Sequence, residues 1–267
     1  MKYALITGAN SGLGNGATKE LLNKGYTVFA CDINIDNLHK SNKLIPIKVD
    51  VTKDNQLDKA YKIVRQHTDR LDIIGNFVGV VLMGGLIEKP VDTLLKTMDL
   101  NVGSMYRVSQ KFFDMLKKAK GRIINISSEV GNYNAIPFNN FYTMSKHAVE
   151  VYNDGLRQEL LPFKIKVIKI RPDSFKTNME DDIEKQYQEI KHETSFYKNA
   201  MEKMERLAEK EFETAKPVDV FVETFIQAVT DKRPKKCYET NKSSKKPKNA
   251  PKKMDNYYKD VMKNKKK

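Results

Sequence analysis

The stretch Thr7-Gly8-Ala9-Asn10-Ser11-Gly12-Leu13-Gly14 follows the short apolar run Tyr3-Ala4-Leu5-Ile6 and precedes apolar residues at helical spacing. Glycines in this pattern let the backbone turn tightly from a strand into a helix. They also bring backbone N–H groups close to a pyrophosphate at the start of the helix. The sequence therefore predicts a dinucleotide-binding turn. The residues expected to contact the dinucleotide are Gly8, Asn10, Ser11, Gly12, Leu13 and Gly14.

Further apolar runs are separated by helical stretches along the chain. The runs that read as strands are 26–31, 45–49, 71–77, 121–126 and 165–170, and a long helix is expected over 94–112. Such alternation is typical of βαβ units, which form a parallel sheet with helices on both faces. We therefore predict an α/β fold, a doubly wound Rossmann sheet over residues 1–240, with ligands at the carboxyl ends of its strands.

Residues 180–216 differ from the rest because they are rich in charge and carry apolar residues at helical spacing. We interpret them as a helical lid insertion that covers the ligand-binding edge of the sheet. The alternative is one or two amphipathic helices packed on the surface of the body.

The positive charge is concentrated at the C-terminal end. Residues 232–267 hold 15 of the 48 Lys and Arg residues and 3 of the 34 Asp and Glu residues. Residues 241–267 form a basic, Lys-rich segment, for which a solvated end is the simplest interpretation and a weak membrane-surface contact the alternative. No nucleic-acid-binding motif accompanies the charge, so no nucleic-acid partner is expected. The residues that could give this end a short helix packed on the body are Tyr257, Tyr258, Val261 and Met262.

Several absences in the sequence point to a cytoplasmic location. No apolar run reaches 18 residues, and the N-terminus has no basic segment followed by a long apolar core. Cys31 and Cys237 are far apart and form no CxxC pattern, so no disulfide framework is expected. The four histidines are scattered, so no metal site is expected either.

Asp32 ends the second predicted strand, eighteen residues after Gly14. A carboxylate at this point accepts hydrogen bonds from the adenosine ribose hydroxyls and repels a 2′-phosphate. Ile33 follows it and offers no cation to offset that repulsion, so NAD is favoured over NADP. Asp50 and Val51 end the third strand, where a contact with the adenine and a simple strand-end cap are equally good interpretations.

Tyr142 and Lys146 lie four residues apart and therefore share one face of a helix. A lysine ammonium beside a phenol stabilises the phenolate and lowers the pKa of the tyrosine. The pair therefore suits a proton transfer that accompanies hydride transfer.

These motifs, in this order, resemble the short-chain dehydrogenases/reductases over about residues 1–240. The matching segments are Thr7–Gly14, Asn76-Phe77-Val78-Gly79, Asn101, Ile126-Ser127-Ser128, Tyr142-Thr143-Met144-Ser145-Lys146 and Arg171-Pro172 with Thr177. The segments 145–150 and 155–160 are similar to the branch that acts on steroids, retinol and other lipophilic alcohols.

The resemblance implies a role for each of four side chains. Tyr142 would be the general acid or base, Lys146 would bind the nicotinamide ribose, Ser128 would bind the substrate oxygen, and Asn101 would join a water-linked proton relay. The resemblance also implies further cofactor contacts, at Asn76, Gly79, Tyr142, Lys146, Pro172 and Thr177.

The chain departs from the family pattern in three places. Phe77 stands where the family has an asparagine that braces the central strands, so it would brace them by packing. Asp173 replaces a glycine and adds a carboxylate near the nicotinamide pocket. Thirteen residues separate Ser128 from Tyr142, one more than the commonest spacing, and the extra residue is expected within 132–136.

The residues around the catalytic positions are mostly apolar and indicate a lipophilic alcohol or ketone as substrate. The candidate substrate residues are Val80, Met83, Phe138 and Met179. A 3-oxoacyl or polyol reductase is an alternative on the same fold. A NAD(H)-binding redox-sensing regulator with little turnover is an alternative of another class. The family resemblance implies a homo-oligomer, with the helices of 94–115 and 142–161 as candidate interfaces, whereas the lipophilic-alcohol branch, which is often monomeric or membrane-associated, leaves the oligomeric state open.

Overall fold

A computed structural model describes residues 1–132, 135–240, 258–259 and 261–262 of the chain. Within these ranges the strands are Tyr3–Thr7 (β1), Thr27–Asp32 (β2), Leu44–Lys48 (β3), Ile73–Asn76 (β4), Arg122–Ile126 (β5), Lys166–Arg171 (β6) and Cys237–Glu239 (β7). The α-helices are Gly12–Asn23 (α1), Asp54–His67 (α2), Val91–Met98 (α3), Ser104–Lys111 (α4), Phe113–Ala119 (α5), Asn140–Glu159 (α6), Asn178–Glu193 (α7), Lys198–Glu213 (α8) and Val218–Thr230 (α9).

All seven strands join one parallel sheet in the order β3-β2-β1-β4-β5-β6-β7. The predicted doubly wound Rossmann sheet is confirmed, and the six predicted strands are present within about two residues of their expected bounds. The sequence analysis missed β7, because three residues amid lysines carry too little apolar periodicity to be recognised.

The strand order changes direction between β1 and β4, which opens a crevice at the carboxyl edge of the sheet. Thr7 is paired with Cys31 on one side and with Asn76 on the other. This register places the glycine turn between Asp32 and the loop that follows β4.

Helices cover both faces of the sheet and bury its apolar side chains. On one face, α1 and α9 pack through Leu21, Phe221 and Phe225. On the other, α2, α4 and α5 pack through residues such as Leu57 and Val108. Burial of apolar area on both faces explains why the strands read as nearly continuous apolar runs.

Phe77 braces the central strands by packing, as expected. Its ring lies 5.8 Å from that of Phe221 and 5.3 Å from that of Phe225, measured between centroids. Its backbone N–H donates to the carbonyl oxygen of Thr7 at 3.2 Å. Aromatic contacts with α9 thus accompany the backbone link between β1 and the end of β4.

The predicted long helix over 94–112 is wrong in one respect, since it is not continuous. It consists of α3, a π-helical turn over Asp99–Gly103, and α4, and it breaks again at Phe112 before α5. Apolar spacing near 3.6 residues does not reveal one wider turn, which is why the sequence predicted a single helix.

The two cysteines are free thiols, Cys31 buried and Cys237 half-buried. Every helix in the described part of the chain is too short or too polar to span a bilayer. Within the same ranges, no group of three or more His, Cys, Asp or Glu side chains is arranged to hold a metal ion.

Replacing Gly14 with alanine should disrupt the glycine turn. A Cβ atom at this position would lie 2.0 Å from the carbonyl oxygen of Gly8, so the backbone has to move. We expect Gly14→Ala to lower the free energy of unfolding by roughly 2 kcal/mol or more, as overpacking does. Urea denaturation measures the change.

Gly155 offers the matched control. It lies inside α6, and a Cβ atom there would meet no other atom within 4 Å. Gly155→Ala should therefore raise the free energy of unfolding by about 0.5–1 kcal/mol through helix propensity. Equal destabilisation by both variants would contradict the close approach of Gly14 to Gly8.

Candidate active site

A cavity of about 680 Å³ opens at the carboxyl edge of the sheet, at the point where the strand order changes direction. It brings most of the predicted site residues together. Those that line it are Gly8, Ser11, Gly12, Leu13, Gly14, Asp32, Ile33, Asp50, Val51, Gly79, Val80, Ser128, Tyr142, Lys146, Pro172, Thr177 and Met179. Five predicted residues do not line it, namely Asn10, Asn76, Met83, Asn101 and Phe138.

The glycine turn has the conformation that the sequence predicted. Gly8 and Gly12 have φ angles of +67° and +51°, a region that glycine enters without strain. The side-chain amide of Asn15 in α1 donates to the carbonyl oxygen of Ala9 at 3.2 Å and so ties the turn to this helix. Thr177 lies against Gly12, with its Cγ2 atom 3.4 Å from where a Cβ atom would be. The turn is thus held in a fixed shape, which we call the glycine cradle, and a side chain at its glycines would occupy the space that it leaves open.

The carboxylate of Asp32 stands beside this cradle at the cavity wall. Its oxygens accept hydrogen bonds from the backbone N–H groups of Asn10, at 2.9 Å, and Asn34, at 3.2 Å. The side chain of Asn10 turns away from the cavity and accepts from the N–H of Asn37 at 2.9 Å. Asn10 therefore supports the loop after β2.

Asp50 acts as a strand-end cap, one of its two sequence interpretations. Its Oδ1 atom accepts from the backbone N–H and from the hydroxyl of Thr52, at 2.9 and 2.7 Å. Burial opposes the effect of these bonds, but together they hold the pKa of the Asp50 carboxyl below its ordinary value. The residue also lines the cavity, so the cap does not remove it from the site.

Asn76 belongs to a buried chain of amides beneath the cavity. Its Nδ2 donates to Oδ1 of Asn125 at 2.8 Å, and Nδ2 of Asn125 donates to Oδ1 of Asn153 at 3.1 Å. The chain ties β4 to β5 and β5 to α6. Sequence reasoning missed Asn125 and Asn153, because a lone asparagine in an apolar run gives no signal of its partner.

Tyr142 and Lys146 lie together as the four-residue spacing predicted. The Nζ atom of Lys146 is 5.4 Å from the centroid of the Tyr142 ring and donates to the carbonyl oxygen of Ile126 at 2.9 Å. Lys146 is buried, and this burial lowers its pKa to about 8, against the opposing charge of Glu150. The ammonium is thus close to losing its proton at physiological pH.

The sequence predicted that Lys146, together with an oxidised nicotinamide, lowers the pKa of Tyr142, and the chain without cofactor has a different balance. Burial raises the pKa of this phenol to about 12, and a hydrogen bond with Ser128 only partly opposes the shift. Desolvation disfavours the charged phenolate and is the larger of these two effects. Tyr142 therefore holds its proton at neutral pH.

Ser128 and Ser127 have separate environments at the end of β5. The Ser128 hydroxyl faces the cavity next to Tyr142 and accepts from the backbone N–H of Val130 at 3.3 Å. The Ser127 hydroxyl points the other way and donates to Oε1 of Glu150 at 2.6 Å. Ser128 is thus the serine available to a ligand.

Asn101 sits in the π-helical turn and is fully buried. Its Oδ1 accepts from the N–H of Val80 at 2.7 Å, while its Nδ2 donates to the carbonyl of Val80 at 2.9 Å and to Oγ of Ser145 at 2.8 Å. Both polar atoms of the side chain are therefore engaged by the protein. Asn101 clamps the loop after β4 against α6, and sequence reasoning missed Ser145 as part of this clamp.

The added carboxylate of Asp173 is neutralised by the protein. Its Oδ2 atom lies 2.5 Å from Nζ of Lys216, and its Oδ1 accepts from the N–H of Ser174 at 2.9 Å. Burial opposes these contacts, but with a hydrogen bond from Glu129 they lower the pKa of Asp173. The third departure, the extra residue within 132–136, falls partly on residues 133–134, outside the described ranges.

The predicted insertion is helical, and α7 forms one wall of the cavity through Met179, Ile183 and Gln186. The amide of Gln186 is fixed to the body, because its Nε2 donates to the carbonyl of Val81 at 2.8 Å and its Oε1 accepts from the N–H of Met83 at 2.9 Å. Two antiparallel hydrogen bonds of this kind hold α7 against the loop after β4.

An apolar cluster lies behind this wall and joins α7 and α8 to the body. Its buried members are Val81, Met83, Phe138, Tyr187, Ile190, Ala200, Met201, Met204 and Val261. Met83 and Phe138, predicted to contact substrate, are thus core residues under the insertion and do not lie on the cavity wall. Val261 confirms part of the expected C-terminal helix, and its carbonyl accepts from Nζ of Lys203 at 3.1 Å. Tyr257 lies outside the described residues.

A parallel Rossmann sheet with a glycine cradle and a Ser–Tyr–Lys set at one cavity defines a class of nicotinamide-dependent oxidoreductases. A family model described as short chain dehydrogenase matches residues 2–188. The chain belongs to the short-chain dehydrogenase family, as the motifs indicated.

One curated relative and two solved structures show how far the similarity extends. 17-beta-hydroxysteroid dehydrogenase type 6 from Rattus norvegicus is 33% identical over 189 residues, which are 67% of this chain and 59% of the rat protein. A short chain dehydrogenase from Burkholderia cenocepacia in complex with NADP has a TM-score of 0.71 at 21% identity and covers 90% of each chain. 4-Hydroxyisoleucine dehydrogenase complexed with NADH has a TM-score of 0.70 at 22% identity, covering 90% of this chain and 96% of its own. At these identities the two structures show the shared fold.

Removing the amide of Gln186 should loosen the cavity wall. Gln186→Ala deletes two hydrogen bonds between α7 and the body, each worth about 1 kcal/mol. We expect faster hydrogen–deuterium exchange in α7 and α8, with the central strands unaffected, because local opening becomes easier. Mass spectrometry of peptic fragments measures it.

Gln188 on the same helix is the matched control, since its side chain bonds to Glu205 of α8 and, within the described ranges, not to the body. Gln188→Ala should leave the exchange of the loop 80–83 at the level of the unaltered chain. Equal protection of α7 in both variants would show that Gln186 does not hold the wall.

Proposed function

We propose that this chain is an NAD(H)-dependent oxidoreductase that interconverts a lipophilic secondary alcohol and its ketone. One observation carries the proposal: Ser128, Tyr142 and Lys146 line the same cavity as the glycine turn and Asp32. A dinucleotide that extends from the turn towards Thr177 would bring its reactive end to the tyrosine and the serine. The residues present fit this cofactor, because glycines of the turn bring the backbone to the cavity wall without side chains, beside Asp32.

The preference for NAD over NADP is supported by the charge at the adenosine end. The Asp32 carboxylate lines the cavity beside the glycine turn, where we place the adenosine ribose, and its neighbour Ile33 is an exposed apolar residue. Among the described residues that line the cavity, the cations are Lys146 and Lys185, and the first belongs to the catalytic set. A 2′-phosphate beside Asp32 would therefore be repelled.

The chemistry requires a hydride and a proton to leave or reach the substrate together. When bound, the nicotinamide accepts or donates the hydride. In the oxidative direction, the substrate hydroxyl gives its proton to the Tyr142 oxygen as its carbon loses the hydride. In the reductive direction, the Tyr142 hydroxyl protonates the carbonyl oxygen as its carbon gains the hydride. The Ser128 hydroxyl donates to that oxygen and stabilises the negative charge that develops on it.

The protonation states favour ketone reduction at neutral pH. With its pKa raised to about 12, Tyr142 is a phenol that is ready to donate. Lys146, with a pKa of about 8, is mostly an ammonium below that pH and loses its charge above it. A charged Lys146 stabilises the phenolate that Tyr142 becomes when it donates its proton. Reduction should therefore decline as the pH rises through the region in which Lys146 loses its proton.

A relay through Asn101 would run by its backbone carbonyl, since its side-chain amide is engaged.

A lipophilic substrate is supported by the wall of the cavity. Val80, Leu82, Met179, Ile183 and Phe212 line it and offer apolar surface to a ligand, beside charged residues of α7 such as Glu180 and Lys185. The rat relative is named as a hydroxysteroid dehydrogenase, which agrees with this class of substrate. The helical insertion would then act as a lid that closes over an apolar ligand.

Two other functions are distinguished by simple measurements. A 3-oxoacyl or polyol reductase would turn over thioesters or sugar alcohols in preference to steroids and long-chain ketones. A redox-sensing regulator would bind NADH without consuming it, whichever carbonyl is offered. A panel of these substrates, followed by NADH absorbance, separates the three.

Self-association is proposed on the helices that the sequence indicated. Leu95, Tyr106, Met144 and Val151 are large apolar residues exposed on α3, α4 and α6. Light scattering of the purified chain tests it, and a monomer at micromolar concentration would exclude it. The proposed membrane contact of the basic segment falls mainly on residues outside the described ranges.

Removing the hydroxyl of Tyr142 tests the mechanism. Tyr142→Phe keeps the ring that packs on Lys146, so NADH binding should persist, while turnover falls by about three orders of magnitude with the loss of the proton donor. Steady-state kinetics and NADH fluorescence measure the two quantities.

Tyr152 supplies a matched control on the same helix. Its hydroxyl donates to the carbonyl of Met105 at 3.3 Å, and burial raises its pKa to about 12 as well. It does not line the cavity, so Tyr152→Phe should change turnover by less than about threefold. Near-normal turnover of Tyr142→Phe would show that the proton comes from elsewhere.

The charge of Asp32 tests the choice of cofactor. Asp32→Asn removes the repulsion of a 2′-phosphate and weakens the bonds to the ribose, so the preference for NADH over NADPH should fall by about tenfold or more. The ratio of the two kcat/KM values measures it. Asp36→Asn, an exposed change in the same loop, is the control. If the unaltered chain prefers NADPH, the assignment of NAD is refuted.

A further inference from the structure

A buried group of ionic side chains lies behind the candidate catalytic pair. Glu150 is one helical turn beyond Lys146 on α6 and is only 8% exposed. Its Oε1 atom accepts hydrogen bonds from Oγ of Ser127, at 2.6 Å, and from Nε of Arg171, at 3.0 Å. Its Oε2 atom lies 2.7 Å from Nη2 of Arg171 and 2.8 Å from Nζ of Lys169. A carboxylate in the protein interior is thus bonded on both oxygens.

Each of these partners belongs to a segment that carries the site. Ser127 stands between Ile126, whose carbonyl binds Lys146, and Ser128, which faces the cavity. Arg171 is the last residue of β6 and immediately precedes Pro172 at the cavity wall. Glu150 therefore links α6 to the ends of β5 and β6, the two strands that hold the catalytic serine and the nicotinamide end of the cavity.

The two cations of the ionic group each bond to a second carboxylate. Lys169 also bonds to Oδ2 of Asp154 at 2.9 Å, and Nη1 of Arg171 bonds to Oε1 of Glu239 on β7 at 2.9 Å. The thiol of Cys237, which is on β7 like Glu239, lies near Arg171, and its pKa is raised mainly by burial. The charges are then two cations and three carboxylates, with Glu150 at the centre.

Among the residues that the structure describes, few titratable groups lie against Lys146 from the elements packed around it. On its own helix these are Tyr142 and Glu150, whereas β5 offers the carbonyl of Ile126 and the loop after β4 offers Gly79, beside the neutral amide of Asn101. The negative charge of Glu150 opposes the loss of the Lys146 proton that burial promotes. Although burial opposes it, the bonds from Arg171, Lys169 and Ser127 hold the pKa of Glu150 below its ordinary range, so that charge is present at neutral pH.

We propose that Glu150 is a positioning residue of the proton-transfer site. It fixes the Ser127–Ser128 segment through Ser127, and it supplies the negative charge that keeps Lys146 protonated at the working pH. The proposal rests on the proposed oxidoreductase function. It also accounts for the position of Lys169, which is turned into this group and is not available to bind an anionic substrate at the cavity.

The charge of Glu150 is tested by Glu150→Gln, which keeps the shape of the side chain. Removing a negative charge eases proton release from the coupled Tyr142–Lys146 pair, whichever of the two groups loses the proton. The pH at which ketone reduction and NADH binding decline should therefore fall by about one unit. Both are measured, the first by NADH absorbance and the second by NADH fluorescence.

A second variant, with an expected pH shift in the opposite direction, keeps the test decisive if Glu150→Gln fails to fold. Lys169→Met removes a cation next to Glu150, while the two bonds from Arg171 keep the carboxylate ionised, so the same decline should move to higher pH. Glu150→Asp restores the charge and should return the decline towards its normal position. Glu239→Gln, at the exposed end of the group, should leave it unchanged.

Ser127→Ala separates the two roles of Glu150, which are to hold the serine segment in position and to supply a negative charge. This variant loses the hydrogen bond that holds the serine segment but keeps the carboxylate, so kcat should fall several-fold with no shift of the pH profile. Shifts in the same direction for Glu150→Gln and Lys169→Met, or no shift in either folded variant, would overturn the proposal. If the unaltered chain turns over no alcohol or ketone, the proposed function fails, and the pH dependence of NADH binding still decides the role of Glu150.

Discussion

The burial of the Lys146 ammonium is the constraint on which the site depends. An ammonium removed from water loses far more solvation than one hydrogen bond returns, so its neighbours must hold it. The carbonyl of Ile126 accepts from it, the ring of Tyr142 covers it, and the charge of Glu150 lies one turn away. These contacts fix α6 against the end of β5, and that contact puts Tyr142 beside Ser128 at the cavity.

The same constraint explains why two charged groups of opposite sign are buried together. Burial of Lys146 alone would favour its neutral amine form. The phenol of Tyr142 would then have no cation beside it. Glu150 offsets this tendency, and Arg171 and Lys169 keep Glu150 ionised in turn. A buried lysine with a pKa of about 8 is the result of that balance.

The wall that covers the cavity is held by a different interaction. The amide of Gln186 meets the backbone of Val81 and Met83, and the apolar cluster behind it joins α7 and α8 to Phe138. Polar contacts set the position of α7, whereas apolar burial supplies most of the stability.

Much of the fold was predictable, because strong local patterns agreed with the global arrangement. Alternating apolar runs and helical stretches predicted six of the seven strands and the parallel sheet, and the glycine spacing located the cradle. The sequence could not reveal β7, whose three residues are too few to show a period, nor the π-helical turn at Asn101. It also placed Met83 and Phe138 at the cavity wall, since apolar residues of the core and of a binding cleft look the same in a sequence.

The sequence by itself determined the family, the cradle, and the presence of Ser128, Tyr142 and Lys146 on elements that end at one edge of a sheet. Spacing along a helix and the handedness of βαβ units are local rules, so no coordinates are needed to apply them. Only the tertiary structure decided the state of those groups: that Tyr142 holds its proton, that Lys146 is marginally charged, and that Glu150, Lys169 and Arg171 meet. Protonation depends on desolvation and on charges contributed by distant parts of the chain, which come together only when the strands are side by side.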